Sequence, residues 1–309
     1  MCYSAQVWDS YQKYIRAFGA SIDLPEFLRL YGARAQGDKI KTTKGMDDAF
    51  SGAEAGVEGQ IWRLVQAHRA QEAARLEQEL FKQSKRLADA ERKLASRPTK
   101  TAENDQRIAS DKIPWLKGKL ADLRRSKPEP RDSRIFPGVY APVMVWEDGK
   151  RVIKPMRYQC RPAGKPAFYD RRYPGTYNAR RDNLEGFWKG QFGKTHGVMV
   201  AERFYENVET PEGNAVLEFE PKTGEPMLIA CLWSRWRDPK GHAPDLLSFA
   251  AVTDEPEPEV AAAGHDRTVI NLRPEFLDAW LNPTSQDVAA LQALLDVKQH
   301  PYYEHRKAA

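Results

Sequence analysis

From Gln60 to Lys117 the chain contains no glycine and consists mostly of strong helix formers. Ala73, Leu80, Leu87 and Leu94 recur every seven residues, with Leu76 beside them on the same face. Ile113, Leu116, Leu120 and Leu123 repeat the three-four spacing of an apolar seam. Between the runs lies Ser96-Arg97-Pro98-Thr99, where Pro98 lacks an N–H and stops a helix. The pattern predicts two antiparallel helices over residues 60–125, with Pro114 starting or kinking part of the second, and Ser126–Ser133 as a Pro-rich exit linker. Residues 60–131 hold 18 Lys and Arg against 10 Asp and Glu, so a chain of net charge +5 is −3 elsewhere. A basic segment of this kind suits an acidic partner such as nucleic acid, and it equally suits a solvated helix face.

The flanking sequence has a different texture. Val7, Tyr11, Tyr14, Ile15 and Phe18 are spaced as an amphipathic helix, and Asp23 with Glu26 forms a capping box for a second one. Residues 37–59 read as a loop. Beyond residue 134, short β-type runs alternate with turns. Tyr140–Trp146, then Glu-Asp-Gly-Lys, then Arg151–Tyr158 is a hairpin signal. Further strands are expected over Gly197–Phe204, Ala215–Glu220, Met227–Leu232, Leu247–Val252 and Thr268–Leu272, and helices over Pro274–Leu281 and Ser285–Leu295, the latter capped by Ser285. The expected class is α+β, with a strongly curved antiparallel sheet or barrel, flanking helices and an inserted antiparallel helical hairpin. Residues 1–59 and 126–309 then form one domain and 60–125 the insertion.

Apolar residues at 41% and charged residues at 29% exclude wholesale disorder. No apolar run approaches the length of a membrane span, and the first residues lack the layout of a signal peptide. Cys2, Cys160 and Cys231 are odd in number and scattered, which argues against a disulfide framework and for a reducing, cytoplasmic setting. Cys160 and Cys231 read as small core residues. The histidines show no metal-ligand spacing, so neither a metal nor another cofactor is expected.

Cys2 follows the initiator Met directly. Removal of Met1 gives one residue an α-amine of pKa about 7.7–8.0 and a thiol of pKa about 8.5. An aldehyde condenses with such an amine to an imine, and the thiol closes a five-membered thiazolidine. Three further stretches keep company with it: Tyr177-Asn178-Ala179-Arg180, the strand-like Val198–Glu206 ending in a carboxylate, and Gly264-His265-Asp266-Arg267 before an apolar strand. With these motifs in this order the chain resembles the SRAP family, SOS-response-associated peptidase proteins that sense abasic sites in DNA. The resemblance covers residues 1–27 and 134–280, with the helical hairpin as an insertion.

That resemblance implies a SRAP-like fold and a set of roles. Cys2 would be the crosslinking nucleophile, Asn178 would hold the opened sugar or the Cys2 amine, Glu206 would move protons during imine formation and ring closure, and His265 would assist opening of the deoxyribose ring and its reversal. Thr253 would lie near the abasic sugar, and Arg180 and Arg267 would hold flanking phosphates. Pro142 would line the nucleotide path and Tyr158 would stack on a neighbouring base. The implied partner is single-stranded DNA containing abasic sites, with localisation at the nucleoid of a bacterial host. The sequence departs from the family where Tyr3-Ser4 replaces the usual Gly-Arg, removing an arginine beside the nucleophile, and where Asn207 follows the carboxylate. Two other classes of function remain open at this point: a cysteine-dependent autopeptidase, and an adaptor that binds a protein partner or a second copy through its basic helical arm.

Overall fold

The computed structural model describes residues 3–210, 213–241 and 243–308. Along the chain run β1 (Ser4–Val7), α1 (Tyr11–Phe18), β2 (Ser21–Ile22), α2 (Leu24–Ala35), β3 (Lys41–Thr42) and α3 (Lys44–Asp48). The long helices α4 (Gly56–Ser96) and α5 (Lys100–Arg124) follow, then β4 (Arg134–Ile135), β5 (Val139–Glu147), β6 (Lys150–Tyr158), α6 (Tyr169–Arg172) and β7 (Asn178–Arg180). The remainder comprises β8 (His196–Thr210), β9 (Gly213–Pro221), β10 (Met227–Trp236), β11 (Leu246–Asp254), α7 (Pro258–Ala262), β12 (Thr268–Val269), α8 (Leu277–Leu281), α9 (Val288–Asp296) and β13 (Tyr303–Lys307). The chain is α+β, with a long helical insertion, and it divides into two compact units.

The first unit comprises Met1–Leu30, Lys39–Gly52 and Pro130–Ala309. Its sheet is antiparallel along most of its length; β2–β6, β3–β5, β6–β11 and β7–β11 are parallel. The sheet closes on itself, because β8 pairs with β10, β10 with β11, β11 with β6, β6 with β5, and β5 again with β8. Gly197 sits at that closure, paired with Val145 on one side and Cys231 on the other. A Cβ there would stand 2.9 Å from Val143 Cγ1 and 3.3 Å from the Met144 carbonyl, so only glycine lets the strands approach this closely. Val143, Val145, Met156, Tyr158, Met199, Ala201, Phe204, Phe249 and Ala251 fill one contiguous interior. The β5–β6 turn is as the sequence predicts, with Asp148 and Gly149 at φ 51° and 76°, the left-handed pair of a type I′ turn. Asp23 accepts the Glu26 N–H at 3.0 Å and caps α2.

The second unit comprises Tyr31–Asp38 and Ala53–Glu129. In it α4 and α5 pack antiparallel, registered by ion pairs Arg86–Asp105 and Arg124–Glu77. Leu76, Leu116 and Leu120 are buried, with Ala73, Leu80 and Leu123 packed against them. Farther out the seam narrows to Ala90, Ala102 and Ala109. Thr99 caps α5 through the Ala102 N–H, and Pro114 lies inside α5 without ending it.

Several sequence expectations need correction. Val7 belongs to β1, not to the first helix, because its backbone pairs with Ala201 of β8. Residues 37–59 contain β3 and α3, and α4 begins within them. The last helix is capped by Asp287, whose carboxylate accepts from Ala290 N at 2.7 Å, rather than by Ser285.

Candidate functional site

Glu206 is the point from which the site is built. On β8 its neighbours two residues away, Phe204 and Val208, both face the apolar interior, and Glu206 shares that face. It is 1% exposed, and burial pushes its carboxyl up to about 8, with the Tyr3 backbone N–H pulling in the opposite direction. His265 approaches from the loop between β11 and β12, its Nε2 3.3 Å from Glu206 Oε2. Burial holds the imidazole below its ordinary value. Its Nδ1 lies 2.9 Å from the Arg267 carbonyl; as Nδ1–H it donates there and leaves Nε2 to accept. Both shifts favour the neutral forms of the two groups, whose nearest atoms are 3.3 Å apart. Such a pair holds one mobile proton at neutral pH.

The loop that carries His265 is anchored at several points. Val260 is fully buried and its carbonyl accepts the His265 N–H at 3.1 Å. Lys298 pairs with Asp254 and Glu257, and His300 Nε2 lies 2.9 Å from Glu259.

Asn178 and Thr253 come from adjacent strands. β7 runs parallel to β11 with Asn178 opposite Ala251 and Arg180 opposite Thr253, so Asn178 and Thr253 face the same way. Asn178 is 5% exposed and Thr253 fully buried, yet neither the Asn178 amide nor the Thr253 hydroxyl has a hydrogen-bond partner among the described residues. Two buried polar groups in that state are costly, about 1–3 kcal/mol each, unless a ligand satisfies them. Tyr3 links this side of the site to the other: its N–H faces Glu206, and its ring lies 6.3 Å from that of Tyr177, the residue before Asn178. Cys2 lies outside the described residues, one position before Tyr3.

The remaining sequence-predicted residues divide. Arg180 is half exposed and paired with Asp182 at 2.6 Å. Arg267 is buried, with its carbonyl on His265. Pro142 does not line an open path: it is buried in the barrel wall opposite Pro155, with its carbonyl accepting from the Tyr14 hydroxyl at 3.2 Å. Nor does Tyr158 offer a ring to a base. It is fully buried, stacked on Phe249 at 5.2 Å and edge-on to Tyr177 at 5.8 Å, because closing the barrel turns that face of β6 inward. Residues the motifs did not reveal stand at the rim instead: Tyr3, Phe136 and Arg134. Their only local signal is two aromatic residues and an arginine in or beside short strands some 130 positions apart.

Cys160, Cys231 and His196 are buried core residues outside the site. Cys160 and Cys231 are buried, and burial pushes both thiols up, Cys160 to about 12. His196 is wedged beside Trp280, accepts the Gly193 N–H and meets the Trp280 carbonyl, and burial lowers it to about 3.

The family model described as SOS response associated peptidase (SRAP) matches residues 95–307. The chain belongs to the SRAP family. That span contains Asn178, Glu206, Thr253 and His265 as well as the helix α5. Membership gives this SRAP protein a DNA-damage-related role. Among solved structures, a protein from Bordetella bronchiseptica is 18% identical over 57% of this chain and 87% of its own, with a TM-score of 0.49. One from Bacteroides thetaiotaomicron is 15% identical over 57% and 78%, with a TM-score of 0.48. A phage-related protein from Bordetella bronchiseptica is 20% identical over 60% and 84%, with a TM-score of 0.44. No curated protein matches the chain at a significant level.

Proposed function

We propose that this SRAP protein senses abasic sites in single-stranded DNA and captures them covalently through Cys2 once Met1 has been removed. The observation that carries the reading is the buried Glu206–His265 pair, at 3.3 Å, beside the residue that follows Cys2. The opened abasic sugar presents an aldehyde. The Cys2 amine adds to its carbonyl carbon, Glu206 protonates the departing hydroxyl, and water leaves as the imine forms. The thiol then adds across the C=N bond; its proton passes through the Glu206 carboxylate to the ring nitrogen, and the thiazolidine is complete. His265, neutral and accepting at Nε2, takes up and returns the Glu206 proton and can serve the ring-opening step. The unpartnered Asn178 amide and Thr253 hydroxyl supply donors and acceptors for the sugar's oxygens. Arg180 and Arg267 are proposed to hold flanking phosphates, Arg180 by exchanging Asp182 for a phosphate. Residues 1–59 and 126–309 are the proposed catalytic domain, and residues 60–125 an inserted basic helical hairpin.

Incubation with an oligonucleotide carrying one abasic site should give an adduct whose mass equals protein plus oligonucleotide minus one water. Cys2→Ser, or an N-terminal extension that blocks the amine, should abolish it. An adduct formed at normal yield by either protein would refute the thiazolidine.

A further inference from the structure

The rim of the site holds a group of side chains that the crosslinking chemistry does not use. Tyr3 is 44% exposed and Phe136 37% exposed, and their rings meet edge to face at 5.8 Å. The rings do not stand alone. Tyr3 contacts Tyr177 at 6.3 Å, Tyr177 contacts Tyr158 at 5.8 Å, and Tyr158 stacks on Phe249 at 5.2 Å, so the exposed pair is the outer end of an aromatic ladder rooted in the barrel core. Exposed aromatics backed in this way lose little freedom when a ligand lies on them.

Arg134 completes the group. Its guanidinium lies 3.6 Å from the Tyr205 ring centre and 5.1 Å from that of Phe136, and its Nε and Nη2 donate to Ser4 Oγ at 3.2 and 3.1 Å. Among the described residues it has no carboxylate partner, whereas Arg180, Arg181 and Arg203 are all ion-paired. Of its five N–H donors, two converge on a single hydroxyl, and the rest remain for an anion.

Exposed rings beside an uncompensated, stacked guanidinium suit a ligand that is both flat and anionic. A duplex keeps its bases stacked on one another, whereas a single strand can lay a base on a ring and a phosphate on a guanidinium. We propose that Tyr3, Phe136 and Arg134 form a nucleotide platform that seats the nucleotide next to the reacting sugar, the base on Tyr3 and Phe136 and its phosphate on Arg134. The inference rests on the proposed reading of the Glu206–His265 site and adds to it a determinant of substrate position.

Two readouts test it. Fluorescence anisotropy with undamaged single-stranded oligonucleotide needs no covalent step; Phe136→Ala and Arg134→Gln should each weaken binding about tenfold, and Phe136→Trp should restore it. Adduct formation is then followed on abasic oligonucleotides whose neighbouring position carries either a purine or a base-free tetrahydrofuran spacer, which has no aldehyde to react. The wild-type protein should reach half its maximal rate at a lower concentration with the purine, and Phe136→Ala should erase that difference while raising the half-saturating concentration more than it lowers the saturated rate. Weakened anisotropy in the variants with no adduct from the wild type would keep the platform and refute the crosslinking reading. Normal adducts with unchanged anisotropy and an intact purine preference in both variants would overturn the platform, as would a loss confined to the saturated rate.

Discussion

The barrel and the helical hairpin both bury polar side chains without full satisfaction, and they do so differently. In the hairpin the case is solitary: Gln83 is 3% exposed, donates to Glu79 at 2.7 Å and leaves its Oε1 without a partner, in a seam otherwise made of leucine and alanine. One polar group in such a seam disfavours slipped pairings, at some cost in stability. In the barrel Arg157, Gln191, Arg203 and Ser234 each hold one such atom apart, but others gather. The Asn178 amide and the Thr253 and Thr176 hydroxyls lie on or beside β7 and β11, and the Glu206–His265 pair stands on β8 and the loop after β11. Isolation suits a fold that needs only its register fixed. Clustering suits a place where a polar ligand enters and satisfies several groups together.

That contrast is broken most severely at the proton-transfer pair. Glu206→Ala and His265→Ala should each slow adduct formation or its reversal by about 10²–10⁴-fold, the usual range for a general acid or base, while binding to undamaged single strands is retained. Single-turnover rates in both directions decide it, and wild-type rates in both would remove these residues from the mechanism.

A smaller effect separates burial from catalysis. Between the ordinary glutamate value of 4.5 and about 8, folded Glu206 keeps a proton that the unfolded chain has released. The folded state then binds more protons, so this residue makes stability fall as pH rises through that window. His265, held below 6.5, has the opposite slope, but only below pH 6.5. Glu206→Gln should therefore leave stability nearly unchanged at pH 4 and raise it at pH 8 by roughly 1–3 kcal/mol, well under the about 4–5 kcal/mol that the full 1.36 kcal/mol per pH unit gives over that window. Urea melts at pH 4, 6.5 and 8 measure this, and a gain independent of pH would mean that Glu206 is ionised in the folded protein.

What the sequence made legible follows the range of the interactions involved. The hairpin helices, the Asp148-Gly149 turn and the Asp23 cap are set by neighbours within a few residues, and each is found where its local signal puts it. β1 and β13 have no such signal. Ser4–Val7 is a strand because β4 and β8 flank it, and Tyr303–Lys307 because β9 does, in both cases across long sequence separations. The same limit explains the site. Asn178, Glu206 and His265 lie in compact motifs that a family resemblance can locate, but whether Tyr158 and Pro142 face ligand or core depends on how the barrel closes, which no window of β6 or β5 records. Arg134 and Ser4 meet only because β1 and β4 pair.

The smallest expected effect concerns the hairpin's charge. Removing all of residues 60–125 is too blunt a test, because Tyr31–Asp38 belongs to the same compact unit and Tyr31 is buried. A milder cut replaces Gln83–Ala109 with a short Gly/Ser turn and keeps the Leu76, Leu116 and Leu120 contacts that hold the base of the hairpin. The excised stretch carries seven Lys and Arg against four Asp and Glu. Two of those arginines, Arg86 and Arg92, are already paired with Asp105 and Asp89, so few charges are left to meet DNA. Each phosphate they neutralise on a single strand would contribute about 0.7 to the slope of log affinity against log salt. The trimmed chain should therefore crosslink abasic DNA at wild-type yield, bind undamaged strands a few-fold more weakly at low salt, and show a slope shallower by about 1–2. An unchanged slope would make the outer hairpin a solvated surface with no part in DNA binding. Loss of crosslinking in a trimmed chain that still melts cooperatively would mean the arm helps shape the site, and the division between a catalytic barrel and an accessory hairpin would fail.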